Sequence, residues 1–183
     1  MADSADPPPI TAPTAPVVIG EGRFLRLVRA DGWEWAERRR ASGVVAIVAV
    51  TAAGELLLTE QRRRAVGAPV IDLPAGLAGD EVDGEALATA AGRELTEEVG
   101  YDAASFSRLA AGPPSPGMSS EVVTLMRAHG VRRVAGGGGV AGEDITVHTV
   151  PLAGIRGWLA EREASGALID LKVWAALAFV ADR

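Results

Sequence analysis

The stretch RELTEEVGY, residues 93–101, places three carboxylates within five positions: Glu94, Glu97 and Glu98. On an ideal helix Glu94 and Glu98 point within roughly 40° of each other, and Glu97 sits roughly 60° to the other side. Residues at i, i+3 and i+4 are surface neighbours. Two carboxylates about 5 Å apart repel by about 3 kcal/mol at an effective dielectric near 20. A solvated helix face tolerates an isolated pair. A denser cluster loses stability unless something positive sits among it.

The rest of the chain narrows the chemistry. There are 183 residues, enough for one domain with a full core. Apolar residues make up 48% and the net charge is −6, which describes a globular protein and argues against a general nucleic-acid binder. No cysteine is present, so disulfides and thiolate metal sites are excluded. His129 and His148 are the only histidines. A histidine zinc site or a Ser-His-Asp triad is therefore hard to build, and acid–base work falls to carboxylates. The N-terminus lacks the basic start and apolar run of a signal peptide. No stretch approaches the ~18 apolar residues of a membrane span. A cytoplasmic protein that engages neither membrane nor nucleic acid is expected.

Elements able to hold the carboxylates follow from pattern. Residues 1–20, rich in Pro and Ala, read as a disordered arm. RFLRLVRADGWEWAERR alternates around Asp31-Gly32 and predicts a hairpin within residues 21–42, ahead of a main domain at 43–183. GVVAIVAVT and ELLLTEQ predict a second, buried hairpin. APVIDLPAG is a short strand with a Pro/Gly break. Residues 84–99 predict a helix closed by Gly100. Its apolar stripe is Ala88, Ala91, Leu95 and Val99, with the glutamates at the edge and Gly92 permitting close approach to a sheet. Arg93 is placed to hold Glu97. Strands follow near 105–111, 121–129 and 144–151, then helices near 152–164 and 169–181. Trp158 and Trp174 read as core, and His148 as a structural histidine. The fold class is α/β (α+β), a mixed sheet sandwiched between helices, with an N-terminal β-hairpin.

The pattern Gly79-x5-Glu85-x7-Arg93-Glu94-Leu95-x-Glu97-Glu98-x-Gly100-Tyr101 resembles the Nudix box, the signature of the Nudix hydrolases. A chance match is on the order of one in 10⁵ to 10⁶ from ordinary residue usage. The resemblance implies a loop–helix–loop that binds a divalent cation, Mg²⁺ or Mn²⁺, and cleaves a diphosphate joined to another group. Oxygen ligands suit those ions. It implies Glu94, Glu97, Glu98 and the Ala75 carbonyl as metal ligands, with Arg93, Glu97 and Glu98 in the catalytic set. Glu85, on the opposite helical face, reads as a support and a partner for an arginine. The segment LAGDEVD makes the interval from Pro74-Ala75-Gly76 to Glu85 about three residues longer than in many relatives. Gly79 keeps the box spacing.

Across residues 22–175 the chain resembles the ADP-ribose pyrophosphatase group. DLPAG, EQRRRAVG, SPGMSSE with Pro116 sixteen residues after Gly100, and GEDITVHTVPL followed by GALIDLK carry that likeness. It implies that Arg63 meets a phosphate, the alternative being a solvated basic turn. It implies that Trp33, shared with Trp35, stacks on adenine and Arg38 reaches the diphosphate; the alternative is that both tryptophans pack a dimer interface. Pro116, Gly117 and Glu121 belong to the substrate loop. VAGGGGVAGE, residues 134–143, reads as too flexible to pack. It is either a plain loop or a lid that brings Glu143 to the diphosphate as general base, with Glu121 as the fallback; Ala141 stands where some relatives carry a second acid. The expected activity is hydrolysis of ADP-ribose to AMP and ribose 5-phosphate by a homodimer. The alternatives are another nucleoside diphosphate sugar, or a non-catalytic ADP-ribose sensor.

Overall fold

The computed structural model describes residues 14–79, 84–140 and 142–180. The first thirteen residues of the expected arm, part of LAGDEVD, and Ala141 lie outside the described residues. The chain divides into two compact units, Met1–Arg39 with Ser115–Ser120, and Arg40–Pro114 with Glu121–Arg183.

The first unit is a three-stranded antiparallel sheet of β1 (Val17–Glu21), β2 (Leu25–Ala30) and β3 (Trp33–Arg38). The hairpin expected around Asp31-Gly32 is present. Asp31 at φ 50° and Gly32 at φ 81° give the two left-handed residues that a two-residue turn needs to match strand twist. The arm is a different matter: β1 lies within residues 1–20 or at their edge and pairs with β2, with a bulge between Val18 and Gly20. The hairpin is thus a three-stranded sheet. Segment 115–120 also belongs to this unit, and Ala36 N–H donates to Met118 O at 2.9 Å.

In the second unit, β4 (Gly43–Ala49) and β5 (Glu55–Arg63) are apolar on both faces. Val45, Ile47, Ala49 and Leu57 pack toward α1 (Leu87–Val99), while Ala46, Val48, Leu56 and Leu58 pack with α2 (Ile155–Ala164) and α3 (Leu171–Val180). This period-2 division places sheets between helical layers. The second hairpin expected from sequence is not formed as such. The chain turns at residues 51–54 and makes one bridge, Val50 to Leu56, after which the strands join different sheets. β4 lies between β7 (Ala75–Ala78) and β10 (Val123–His129), with β9 (Ser105–Gly112) beyond β10. β5 lies between β12 (Ile145–Pro151) and β6 (Ala68–Asp72), with β13 (Leu168–Ile169) beyond β6. The two-residue strands β8 (Tyr101–Asp102) and β11 (Arg132–Arg133) pair with each other. Trp158 and Trp174 pack against the core as expected. His148 is a satisfied histidine: its Nε2 lies 2.8 Å from Glu60 Oε2 and its ring meets Trp158 edge-on. Among the described residues no helix is long and apolar enough to cross a membrane.

Candidate active site on the carboxylate helix

Helix α1 begins at Leu87, and its buried side is Ala90, Ala91, Glu94, Leu95, Glu98 and Val99. Ala88 is exposed, so the expected stripe is corrected at its first turn. Two of the three glutamates are themselves buried, Glu94 at 9% exposure and Glu98 at 7%. Gly100 at φ 77° ends the helix, and its N–H reaches the Leu95 and Thr96 carbonyls. Close approach to the sheet occurs not at Gly92, where an added Cβ would make an ordinary 3.5 Å contact with Phe106, but at Gly76 on β7. A Cβ there would lie 1.9 Å from Glu94 Oε1. Gly76 thus leaves the space in which the Glu94 carboxylate sits. Gly76→Ala should fold, because the obstructed group is the end of a flexible side chain, while Glu94 is forced aside. The expected reading is a near-unchanged melting midpoint with kcat lowered about 10²-fold, the scale for misplacing a reacting group by about 1 Å.

Arg93 organises the cluster. Its guanidinium lies 2.8 Å from Glu94 Oε1, 3.4 Å from Glu97 Oε2 and 3.4 Å from Glu85 Oε2, and donates to the Leu77 carbonyl at 2.9 Å. Glu85 therefore does partner an arginine. It precedes α1 instead of occupying its opposite face, and its Oε2 also accepts from Gly79 N–H at 3.3 Å. Gly79 is left-handed at φ 81°, and an added Cβ would meet Ser42 Oγ at 2.5 Å.

Glu98 Oε2 accepts the Ala75 N–H at 2.9 Å, which ties the PAG turn to the helix. Burial pushes the Glu98 carboxyl up to about 8. The charges of Glu94 and Glu143 push the same way, while the Ala75 N–H and the Arg63 guanidinium oppose it. Arg63, Glu94, Glu98 and Glu143 thus share one electrostatic neighbourhood. Of the three adjacent arginines, Arg62 is engaged with its own turn, donating to Gly67 O at 2.8 Å. Arg63 acts on Glu98 and also lines a cavity of about 620 Å³ with Val66, Val70 and Lys172.

The glycine-rich segment is not slack. Gly138 N–H donates to Glu98 O at 2.8 Å and Gly139 N–H to Glu97 O at 3.0 Å, so residues 134–139 pack on the end of α1. This corrects the expectation of an unpacked loop. Glu143 Oε2 accepts from Val140 N–H at 3.0 Å. Glu121, the alternative base, stands two residues before β10 and is half-buried.

The first unit holds the other expected substrate residues. Trp33, Trp35, Pro116 and Gly117 line one cavity of about 640 Å³, with Asp31 and Glu37. Trp33 is 70% exposed. Trp35 Nε1 donates to Glu37 Oε1 at 2.9 Å, which with Arg26 holds the Glu37 carboxyl below its usual range. Arg38, at odd separation from both tryptophans, falls on the other face of β3 and is not among the residues lining that cavity.

One buried group was not legible beforehand. Asp72, just ahead of the PAG turn, meets Lys172 Nζ at 3.1 Å, and Lys172 meets Asp170 at 2.7 Å. Burial raises the Asp72 carboxyl to about 6, against the pull of Lys172. The acidic and basic residues of IDLPAG and IDLK were the available signal, but nothing in either stretch says that they meet.

The donor set on α1 is entirely oxygen, and Gly76 leaves a cradle for one carboxylate, so the residues fit a hard divalent cation. As placed, Glu94 and Glu97 face Arg93 and Glu98 faces Ala75 N–H; among the described residues no three acidic or histidine side chains converge on a single point.

Comparison with known proteins agrees with this arrangement. The NUDIX domain profile matches residues 39–172. The chain is 35% identical over 88 residues to an ADP-ribose pyrophosphatase of Bacillus subtilis (strain 168), covering 47% of this chain and 45% of that protein. It is 40% identical over 92 residues to an ADP-ribose pyrophosphatase of Mycobacterium tuberculosis (strain ATCC 25618 / H37Rv), covering 50% and 44%. It is 31% identical over 121 residues to a methanol dehydrogenase activator of Bacillus methanolicus, covering 63% and 64%. The matches thus span less than two thirds of each curated relative's length. A solved ADP compounds hydrolase superposes with a TM-score of 0.65 at 21% identity, over 83% of this chain and 85% of that one, which speaks to the fold. With the box glutamates gathered on α1 and the profile covering most of the chain, this protein belongs to the NUDIX domain family.

Proposed function

We propose that this protein is a divalent-metal-dependent hydrolase of ADP-ribose, giving AMP and ribose 5-phosphate. The observation that carries the reading is the Gly76 cradle, which gives room in the sheet to the Glu94 carboxylate, on the same helix that carries Glu97 and Glu98. The likeness to two ADP-ribose pyrophosphatases supports the substrate. Glu94, Glu97, Glu98 and the Ala75 carbonyl would hold Mg²⁺ or Mn²⁺, which when bound offsets diphosphate charge and lowers the pKa of the attacking water. Arg93 releases Glu94 and Glu97 for that task while keeping Glu85 as its partner. Arg63 meets a diphosphate oxygen with its planar fork. Glu143 accepts the proton as water adds to phosphorus and the bond to the bridging oxygen breaks. Trp33 and Trp35 provide flat apolar surface for the base, with Pro116 and Gly117 beside them. Arg38 and Glu121 contribute further polar contacts to the substrate. A panel of nucleoside diphosphate sugars with Mg²⁺ or Mn²⁺, resolved by product chromatography, tests the proposal. AMP from ADP-ribose at the highest kcat/KM supports it; a different preferred sugar, or binding without turnover, overturns it.

Divalent metal should stabilise the fold, since carboxylate repulsion is relieved in the bound state. At 100 times Kd the gain is about 2.7 kcal/mol. Thermal melts with Mg²⁺ or Mn²⁺ against chelator should show a clear rise, and coincident midpoints count against a metal site.

The working protein is proposed to be a cytoplasmic homodimer. Val17, Ile19, Phe24, Leu25, Leu27 and Trp33 are 40–70% exposed on the small first sheet, more apolar surface than a solitary sheet of this size keeps in water. Light scattering at micromolar concentration should give twice the chain mass; a monomer mass contradicts it.

A further inference from the structure

An α-helix ends with carbonyls that have no partner within the helix. In α1 those carbonyls belong to the residues whose side chains form the site. Gly138 N–H takes the Glu98 carbonyl at 2.8 Å, and Gly139 N–H takes that of Glu97 at 3.0 Å. Val134 and Ala135 N–H groups both take the Gly100 carbonyl at 2.9 Å.

The glycines make this contact possible. Gly137, Gly138 and Gly139 have φ of 73°, 108° and 83°, a run of left-handed backbone that side chains resist. A Cβ on Gly137 would lie 2.5 Å from the Val99 carbonyl carbon, and one on Gly100 would lie 2.5 Å from Ala135 O. Both obstructions are backbone and cannot swing away. The two glycines therefore let the loop lie directly on the helix end.

Gly139 faces the other way. A Cβ there would meet Glu143 Oε2 at 2.6 Å and Glu143 Cβ at 2.8 Å. The turn that follows is closed twice, by Glu143 N–H to Val140 O at 3.0 Å and by Val140 N–H to Glu143 Oε2 at 3.0 Å. Hydrogen bonds therefore anchor both ends, with Gly138 and Gly139 on the Glu98 and Glu97 carbonyls and the Glu143 carboxylate on Val140 N–H.

We propose that Gly137–Gly139 form a backbone clasp on the end of α1, and that Gly139 is a positioning residue that sets the Glu143 carboxylate against the box glutamates. The segment that carries Glu143 is then not a lid hinged along the whole glycine run. The base is registered to the metal-binding helix through the main-chain bonds of Gly138 and Gly139. This inference rests on the reading of Glu143 as general base.

The test is a double-mutant cycle on the full chain with Mg²⁺ and ADP-ribose, using Gly139→Ala, Glu143→Gln and the combined variant, with thermal midpoints as the check on folding. Gly139→Ala should lower kcat about 10²-fold with KM changed little. In the Glu143→Gln background it should cost nothing further, because the group it positions is already gone. If the alanine variant does not fold, Gly139→Asn carries the same test, since asparagine tolerates positive φ better. A slow Glu143→Gln beside a fully active Gly139 variant overturns the clasp alone. Effects that multiply in the combined variant overturn it as well. Full activity in Glu143→Gln overturns the base assignment and the positioning role together.

Discussion

Glu98→Gln should lower kcat roughly 10²- to 10³-fold, the scale seen when one preorganised charge interaction with the transition state is removed. The amide keeps the shape, and its oxygen still accepts the Ala75 N–H, so the PAG turn stays tied to α1. What is lost is a carboxylate at the centre of the cluster. Glu85→Gln should cost about tenfold, the effect of weakening a supporting contact, because Arg93 retains Leu77 O and a neutral amide oxygen at position 85. Equal losses in the two variants would erase the distinction between ligand and support. The same substitution should show in stability. In metal-free protein the folded Glu98 carboxyl holds its proton to about pH 8, while in the unfolded chain it ionises near 4.5. The folded state binds more protons between those values, so its stability is full below about pH 4.5 and is lost as pH rises through about 8. Glutamine does not titrate. Metal-free melts from pH 5 to 9 should therefore fall more steeply for the wild type than for Glu98→Gln, and parallel curves would count against the shifted carboxyl.

Glu143→Gln should lower kcat about 10²- to 10⁴-fold, the usual contribution of a general base, with little change in substrate Kd. Its carboxylate is close enough to raise the proton affinity of Glu98, and one oxygen is already fixed by Val140 N–H. The box glutamates become poorer bases once a cation is bound to them. Single-turnover and binding measurements on the same preparation separate the two quantities. Glu121→Gln, just ahead of β10, should be milder. The reverse order would transfer the base to Glu121.

Where sequence pattern depends on neighbours along the chain, it read the structure well. The β2–β3 hairpin follows from period-2 alternation and Asp31-Gly32, and α1 follows from its stripe and Gly100. Partner choice is a different kind of information. GVVAIVAVT and ELLLTEQ both read as buried strands, yet adjacency in sequence suggested a pairing that the structure replaces with two sheets. Strands of two residues, such as β8, β11 and β13, have no period to detect. At the site, the Arg93–Glu97 pair and the need of Glu85 for an arginine were legible, because residue type and spacing carry them, but that the arginine is Arg93 was not. The role of Gly76 was not, since it depends on where β7 meets α1. The glycine run 136–139 was misjudged for a physical reason. Glycine density signals freedom in an isolated chain, but in a folded one it also permits left-handed backbone to lie against another backbone.

Parallel pairing of β10 with β4 sets Val44 beside Val123. These residues are about 80 positions apart, and contacts at that separation form slowly because a long loop must close before any of them is gained. β4 is apolar on both faces, so during synthesis it emerges well before the strand that covers its edge. Until β10 arrives, a nascent chain presents an open, greasy strand edge of the kind that templates aggregation. Recombinant yield should therefore respond more to synthesis rate and growth temperature than to the stability of the finished protein. The carboxylate helix, which lies between the two strands in sequence, has to be made and parked before its own sheet can close.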